Sequence, residues 1–163
     1  MDVTHLTERN ENDVIAYAVV LLKRGCVLAV PTDTVYGLVA DIANEAAVKR
    51  VFRIKRRAHV KALPVFVRDI SMAKRYALID KATEPILAGL WPGNPTVVLK
   101  QRSTIPDIVV GGGKTIGLRV PGHHFMNAVL ELFPNPLTAT SANISGNEPA
   151  QSGVEVQKTF AGQ

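Results

Sequence analysis

Short apolar runs separated by amphipathic segments constrain the fold of this 163-residue chain more than any other feature. Five of these runs have the length of buried strands and are too short to form helices; they cover residues 27–30, 64–67, 96–99, 116–120 and 137–140. Helical patterns occupy residues 12–24, 44–55, 80–90 and 124–133, with a short helix starting at Ser71. Asn12 or Asp13 can cap the first helix, and Asn44 the second. Strands alternating with short helices predict an α/β domain built on a twisted sheet.

The composition fits one soluble domain. Apolar residues make up 47% of the chain and charged residues 20%, a balance typical of globular proteins. We therefore expect a single domain over residues 1–163. No apolar run approaches the roughly 20 residues that span a bilayer, and the polar N-terminus does not resemble a signal peptide. The single cysteine, Cys26, excludes an internal disulfide and a cysteine-cluster metal site. We expect a cytoplasmic protein without a membrane segment.

The net charge of +5 and the pI near 9.6 favour polyanionic partners such as nucleotides, phosphates or nucleic acid. Many basic proteins bind no nucleic acid, so charge alone leaves RNA binding open. Adjacent His123 and His124 point in different directions and lack a third ligand at useful spacing, so we predict no metal site made of side chains.

Residues 31–38 (P-T-D-T-V-Y-G-L) place two hydroxyls, a carboxylate and a glycine directly after a predicted strand. Such groups can bind the carboxylate or hydroxyl of a ligand, and the glycine allows close approach. The alternative is a turn whose polar side chains satisfy their own backbone. Composition alone favours that alternative.

Two further segments carry polar groups suited to phosphates. Residues 55–61 hold five basic side chains at a helix end, which could neutralise a triphosphate or simply lie in water near the helix dipole. Residues 138–146 are rich in hydroxyls and amides but contain no lysine, so they are not a P-loop. The turn at 111–115 also lacks the P-loop spacing.

Taken in order, these segments resemble the YrdC-like threonylcarbamoyl-AMP synthase family. The resemblance covers about residues 26–149 and rests on five motifs: P-T-D-T-V-Y-G-L at 31–38, I-K-R-R at 54–57, W-P-G at 91–93, G-L-R-V-P-G-H at 117–123 and T-S-A-N-I-S-G at 140–146. It implies a single α/β domain with a twisted mixed sheet, flanked by helices and lining a positively charged concave cavity. It also implies a nucleotidyltransferase that condenses L-threonine, bicarbonate and ATP to threonylcarbamoyl-AMP and pyrophosphate.

The resemblance also assigns residues and partners. It implies a catalytic and ATP-binding set of Lys55, Arg57, Ser141 and Asn143, further ATP contacts from Lys61 and Thr115, and threonine contacts from Thr34, Arg119 and the backbone of Ala139. Mg²⁺ is expected on the ATP phosphates. The product would serve tRNA modification at adenosine 37 and pass to a separate threonylcarbamoyl transferase complex.

The implied chemistry suits these residue types. Cations stabilise the charge that develops on the α-phosphate and on the leaving pyrophosphate. Arg119 is expected to clamp the threonine carboxylate bidentately, and Thr34 to bond threonine's polar groups. Carboxylation of an amine by bicarbonate needs positioning more than a nucleophilic side chain.

The chain departs from the family pattern at three places. Asn94 interrupts the usual Pro-Gly-Pro, and Ala62-Leu63-Pro64 replaces the usual Pro-Leu. The chain also ends at Gln163, before the further strand and the arginine loop that close the pocket in the family. Since the sequence of residues 159–163 is typical of the middle of a helix, we expect that the sequence is truncated at its C-terminal end. The alternative is a reduced family member with an incomplete lid over the pocket.

Two other functions remain open. The same fold could be an RNA-binding or regulatory module that holds double-stranded RNA or tRNA, with affinity that falls as salt rises. Related domains of larger carbamoyltransferases activate carbamoyl groups instead of threonine, but the matches at Thr34 and Arg119 favour threonine.

Overall fold

A computed structural model describes residues 2–162. The helices are α1 Glu11–Lys23, α2 Glu45–Lys55, α3 Ile70–Tyr76, α4 Thr83–Leu90, α5 Asp107–Val110, α6 His124–Leu132 and α7 Gly153–Thr159. The strands are β1 Leu28–Val30, β2 Gly37–Val39, β3 Val65–Phe66, β4 Val97–Lys100, β5 Thr115–Arg119, β6 Leu137–Thr138 and β7 Thr140–Ser141.

The strands form two sheets. One is antiparallel with the order β1-β2-β7, and the other is mixed with the order β4-β5-β3-β6, in which β3 and β5 run parallel. The predicted α/β class and the mixed sheet are therefore confirmed. The division into two sheets was not readable from the sequence, because the apolar runs say nothing about which strands pair.

Residues 137–140, predicted as one strand, are divided between the two sheets. Thr138 lies opposite Val65 in the mixed sheet, whereas Thr140 lies opposite Leu38 in the antiparallel sheet. Ala139 lies between them, and its N–H donates to the carbonyl of Pro64 at 2.8 Å. The chain thus crosses from one sheet to the other at a single residue, which joins the two sheets beside the polar segment that follows.

Capping explains where the helices begin. The side chain of Asn44 accepts a hydrogen bond from the Ala47 N–H at 3.1 Å, as predicted for α2. The expected cap of α1 is wrong, since its N-cap residue is Asn10 and Asn12 lies inside the first turn. Asp69 caps α3, two residues before the predicted start at Ser71, by accepting from the Met72 N–H.

Two of the three hydrophobic clusters in residues 2–162 pack the helices beside the site against the sheets. The first packs α2 and α5 against the mixed sheet through residues such as Val51, Phe52 and Leu118. The second packs α1 and α6 around β3 and β6. Burial of each such side chain contributes about 1.5–3 kcal/mol, so both sheets provide rigid support for the loops at their junction.

Three elements were missed, and one expectation about the C-terminal end is wrong. Strand β2 was assigned to a loop because it begins at Gly37, and α5 and α7 have only 4 and 7 residues. The sequence predicted that the helix continues through residues 160–162, but α7 ends at Thr159. The predicted truncation concerns Gln163 and beyond, outside the described residues. Within residues 2–162, no helix has the length and apolarity needed to cross a membrane.

Candidate active site

A cleft of about 170 Å³ opens where the two sheets meet. The β1–β2 connection forms one wall, the ends of β3 and β5 form the floor, and the crossing at Ala139 forms the other wall. Its lining residues are Thr32, Thr34, Val35, Tyr36, Gly37, Phe66, Arg119, Ala139, Thr140 and Ser141. The structure therefore places four predicted site residues in one cleft: Thr34, Arg119, Ala139 and Ser141.

The β1–β2 connection combines the two interpretations left open by the sequence. The Thr32 hydroxyl donates to the Val35 carbonyl at 2.6 Å and accepts from the Thr34 N–H at 3.2 Å, so Thr32 satisfies its own turn. The Thr34 hydroxyl lies 3.1 Å from that of Thr32. Since the single proton of Thr32 is used by Val35, Thr34 donates to Thr32 and presents its oxygen as an acceptor.

Arg119 ends β5 with its guanidinium enclosed by acceptors. Its Nη2 lies 2.5 Å from Asp33 Oδ1 and 3.1 Å from Asn94 Oδ1, while its Nε donates to the Gly93 carbonyl at 2.9 Å. The guanidinium carbon also lies 5.8 Å from the centre of the Phe66 ring. Burial by itself would raise the pKa of Asp33, but hydrogen bonds from Arg119 and Gly122 and the Arg119 charge hold that pKa below its usual value.

Lys55, at the end of α2, lies directly behind Ser141 and is only 2% exposed. Its ammonium donates to the backbone carbonyl of Ser141, to Asn143 O at 3.2 Å and to Asn143 Oδ1 at 2.6 Å. The Ser141 hydroxyl donates to the same amide oxygen at 2.8 Å. Three acceptors use all three N–H groups of Lys55, so the lysine organises residues 141–143.

Burial and, to a smaller extent, the nearby positive charge of Arg57 together lower the pKa of Lys55 to about 8. Arg57 donates from Nη2 to the Ala62 carbonyl at 2.9 Å. Its Nε is buried and has no partner among the described residues. The tetrad that the resemblance implied therefore lies in one neighbourhood, with Ser141 at the surface of the cleft and Lys55 and Asn143 beneath it.

Lys61 and Thr115 lie outside the cleft lining. Both side chains are exposed, Lys61 in the turn after α2 and Thr115 at the opposite end of β5 from Arg119. Four residue steps along the strand place Thr115 about 13 Å from Arg119. The positive charge expected for the cavity stays a prediction, because Asp33 balances the charge of Arg119.

Sequence reasoning missed three residues that shape the site: Asp33, Phe66 and Asn94. Asp33 lies in the same motif as Thr34. A carboxylate beside a candidate anion site was a signal, because a buried arginine needs a counter-charge. Asn94 was noted only as a departure from the family pattern. Among residues 2–162, no three histidine, cysteine or carboxylate side chains lie together as metal ligands would.

Comparison with known proteins identifies the family. Residues 20–163 match the Sua5/YciO/YrdC family, described as "Telomere recombination". A threonylcarbamoyl-AMP synthase of Pyrococcus abyssi is 33% identical over 162 residues, which cover 99% of this chain and 48% of that protein. A putative threonylcarbamoyl-AMP synthase of Methanocaldococcus jannaschii is 36% identical over 156 residues, covering 96% and 73%. The chain belongs to the Sua5/YciO/YrdC family.

A solved member of the Sua5/YciO/YrdC family shows the same fold. The structure of P. abyssi Sua5 complexed with L-threonine superposes with a TM-score of 0.87 at 32% sequence identity, covering 98% of this chain and 46% of that one. The chain thus spans about half the length of the P. abyssi protein. The resemblance seen in the sequence is confirmed at the level of family and fold.

Proposed function

We propose that this chain is an L-threonylcarbamoyladenylate synthase, a nucleotidyltransferase that condenses L-threonine, bicarbonate and ATP to threonylcarbamoyl-AMP and pyrophosphate. The observation that carries the proposal is the convergence of Thr34, Arg119, Ala139 and Ser141 on one cleft. That the matched P. abyssi structure is complexed with L-threonine supports the choice of amino acid.

The Arg119 end of the cleft suits threonine. The whole cleft, with a volume of about 170 Å³, has room for a small amino acid. Arg119 would bind the carboxylate, and the free oxygen of Thr34 would accept from the ammonium or the hydroxyl of the substrate. The Ala139 carbonyl would supply a second acceptor, because its N–H already donates to Pro64.

The Ser141 end suits the phosphates of ATP. Lys55 brings a positive charge behind Ser141 and Asn143, its acceptors are neutral oxygens, and the charge of Arg57 lies close to it. Positive charge fixed in place before reaction stabilises the anionic transition state and the leaving pyrophosphate. Lys61 and Thr115 would contact parts of ATP that extend beyond the cleft.

The reaction needs no nucleophile from the protein. The threonine amine attacks the carbon of bicarbonate and water leaves, which gives the carbamate. A carbamate oxygen then attacks the α-phosphate of ATP, the bond to the β-phosphate breaks, and pyrophosphate leaves. The chain contributes by holding the amine, the bicarbonate and the α-phosphate in line, which removes much of the entropic cost.

Mg²⁺ would enter with ATP. Both oxygens of Asp33 already accept hydrogen bonds, Oδ1 from Arg119 and Oδ2 from the Gly122 N–H at 2.8 Å. This carboxylate is therefore poorly placed to hold a metal ion. The ion would be carried by the phosphate oxygens, where it neutralises charge on the leaving group.

The product would serve threonylcarbamoylation of adenosine 37 in cytoplasmic tRNA and would pass to a separate threonylcarbamoyl transferase complex. Direct binding of tRNA or double-stranded RNA remains the competing use of this basic chain, whose net charge is +5.

The decisive experiment measures pyrophosphate release by the purified chain. Release that requires ATP, L-threonine and bicarbonate together, and that is lost in Ser141→Ala, supports the proposal. Release that does not depend on threonine contradicts it. A tRNA titration at two salt concentrations, with the Lys55→Ala, Arg57→Ala double variant alongside, tests the alternative. Salt-sensitive tRNA binding without nucleotide binding would favour the RNA module.

A further inference from the structure

We propose that Asp33 and Asn94 are positioning residues that hold Arg119 so that it offers only Nη1 to the carboxylate of the amino-acid substrate. The inference deepens the proposed function and rests on it for the identity of the ligand. It differs from the bidentate clamp that the sequence suggested, because both nitrogens on one edge of the guanidinium already have partners in the protein.

The donors of Arg119 can be assigned one by one. A guanidinium carries five N–H groups: one on Nε and two on each terminal nitrogen. The Nε–H is used by the Gly93 carbonyl, and the two protons of Nη2 are used by Asp33 Oδ1 and Asn94 Oδ1. Nη1 has no hydrogen-bond partner among residues 2–162 and retains access to solvent. Since Arg119 lines the cleft, the two Nη1 protons are those available to a ligand.

Asp33 joins the arginine to the turn that follows β5. Its second oxygen accepts from the Gly122 N–H at 2.8 Å, so one carboxylate holds both the side chain of Arg119 and the backbone three residues later. A Cβ at position 122 would lie 3.0 Å from Asp33 Oδ2 and 3.4 Å from Gly93 Cα. A side chain at this position would crowd the carboxylate, so glycine favours the close approach of Asp33 to the turn.

Asn94 ties the same guanidinium to the turn after α4. The neighbouring Gly93 N–H donates to the Val120 carbonyl at 2.9 Å, so this turn is attached to β5 by backbone and side-chain bonds together. Asn94 is the residue that interrupts the Pro-Gly-Pro pattern. Proline at that position would have no side-chain oxygen to offer, so the third acceptor on Arg119 is a property of this chain.

Burial makes the arrangement stiff. The side chains of Arg119 and Asp33 are only 10% and 14% exposed. Arg119 and Asp33 stay paired because separation would leave each of them as a poorly solvated charge. Threonine therefore meets a guanidinium whose orientation is set before binding, and the local charge is close to neutral. Selection at this end depends on the direction of Nη1 more than on net charge.

The test measures threonine and ATP affinity by isothermal titration calorimetry in matched variants. In Asp33→Ala we expect the threonine Kd to rise at least about tenfold and the ATP Kd to change less than about twofold. Asp33→Asn keeps the shape and should give a rise of about three- to tenfold, and it decides the same question if Asp33→Ala does not fold. Asn94→Ala should give about two- to threefold. Asp13→Ala removes an exposed carboxylate of α1 and should change neither affinity.

An unchanged or tighter threonine Kd in both Asp33 variants would overturn the inference, because Asp33 would then compete with the substrate for Arg119. Nitrogen-15 spectra of the arginine side chains separate this result from failure of the proposed function. We expect slow rotation of Nη2 of Arg119 in the wild type and its loss in Asp33→Ala. If the wild type binds no threonine, the proposed function fails. In that case the spectra still test whether Asp33 positions Arg119. Loss of slow Nη2 rotation in Asp33→Ala supports this role, and unchanged spectra overturn it.

Discussion

Arg119 and Lys55 are both buried cations beside one cleft, but they are held by different kinds of partner. Arg119 faces a carboxylate, Asp33, at 2.5 Å. Lys55 faces three neutral oxygens from Ser141 and Asn143, and its nearest charged neighbour is another cation, Arg57. The Arg119 end of the cleft is thus locally neutral and rigidly oriented, whereas the Lys55 end keeps its positive charge.

This contrast would allow one small cleft to distinguish two anions. A carboxylate substrate bears a single charge and is recognised by the direction of a few N–H groups. A triphosphate bears several charges and is attracted by an uncompensated positive field. The absence of a carboxylate partner has a cost, because burial and then the nearby charge of Arg57 lower the pKa of Lys55 to about 8 and no negative charge opposes them. If the two ends behave independently, a substitution at one end should leave binding at the other unchanged.

The largest effect is expected from Lys55→Met. The change removes a donor from three acceptors, of which Asn143 Oδ1 keeps the Ser141 hydroxyl and the Ser141 carbonyl keeps the Asn143 N–H. We therefore expect about 2 kcal/mol of lost stability and loss of measurable ATP binding. Urea unfolding followed by circular dichroism and calorimetric titration with ATP measure the two effects. Lys49→Met is the control on the same helix, because Lys49 is exposed and paired with Glu45 at 2.6 Å, and it should cost less than about 0.5 kcal/mol. Equal losses in both variants would show that Ser141 and Asn143 do not depend on Lys55.

The next effect is expected from Arg119→Ala. Loss of a charge-assisted hydrogen bond should raise the apparent KM for threonine about 10- to 100-fold, while the KM for ATP should change less than about threefold. Steady-state pyrophosphate release measures both constants. A comparable rise for ATP would mean that the two ends of the cleft are coupled, and the contrast between them would fail.

A smaller effect is expected from pH. As the pH rises through about 8, Lys55 loses its proton and one donor to the 141–143 segment, so ATP affinity should fall several-fold around that pH. Once the titration of threonine's own amino group is corrected for, threonine affinity should stay level, because the lowered pKa of Asp33 keeps the Arg119–Asp33 pair ionised. Calorimetric titrations between pH 6.5 and 9.5 test this, with buffers matched for ionic strength. A parallel fall in threonine affinity would contradict the assignment to Lys55.

Stability should follow the opposite course. The folded-state pKa of Lys55, about 8, lies below its ordinary value of 10.5, so the folded chain binds fewer protons than the unfolded chain between these two values. The contribution of Lys55 to the free energy of unfolding therefore rises with pH across that window. Urea titrations at several pH values would show the rise, and Lys55→Met should remove it.

Sequence patterns predicted the parts of this molecule that depend on local physics. Apolar periodicity found the long helices α2 and α6, and Asn44 marked the start of α2 because its side chain can reach the Ala47 N–H. The motifs also predicted that Thr34, Arg119 and Ser141 are site residues, and the structure brings them together. Their individual roles stay predictions.

The parts that escaped prediction depend on pairing between distant residues. Asp33 and Arg119 are 86 positions apart, and Lys55 and Asn143 are 88 apart. No local pattern shows that one cation meets a carboxylate and the other meets neutral oxygens. The same applies to Ala139, because a single run of apolar residues gives no sign that its two halves join different sheets.

The smallest effect is expected from Phe66→Leu. The guanidinium carbon of Arg119 lies 5.8 Å from the centre of the Phe66 ring, a distance at which a cation–π contact contributes about 0.5 kcal/mol, or about twofold in affinity. We expect a rise of about twofold in the threonine Kd and no change for ATP, measured by calorimetry. Phe125→Leu is the matched control, because Phe125 is buried in the same cluster on α6 and does not line the cleft.

Both substitutions should cost similar stability, about 1 kcal/mol, since each removes part of a buried aromatic ring. Any difference between them in threonine affinity therefore reports the ring beneath Arg119 and not the packing of the core. If Phe125→Leu weakens threonine binding equally, the orientation of Arg119 depends on core rigidity in general. If only Phe66→Leu does so, the ring acts together with Asp33 and Asn94, and the neutral end of the cleft is defined by orientation on every side of the guanidinium.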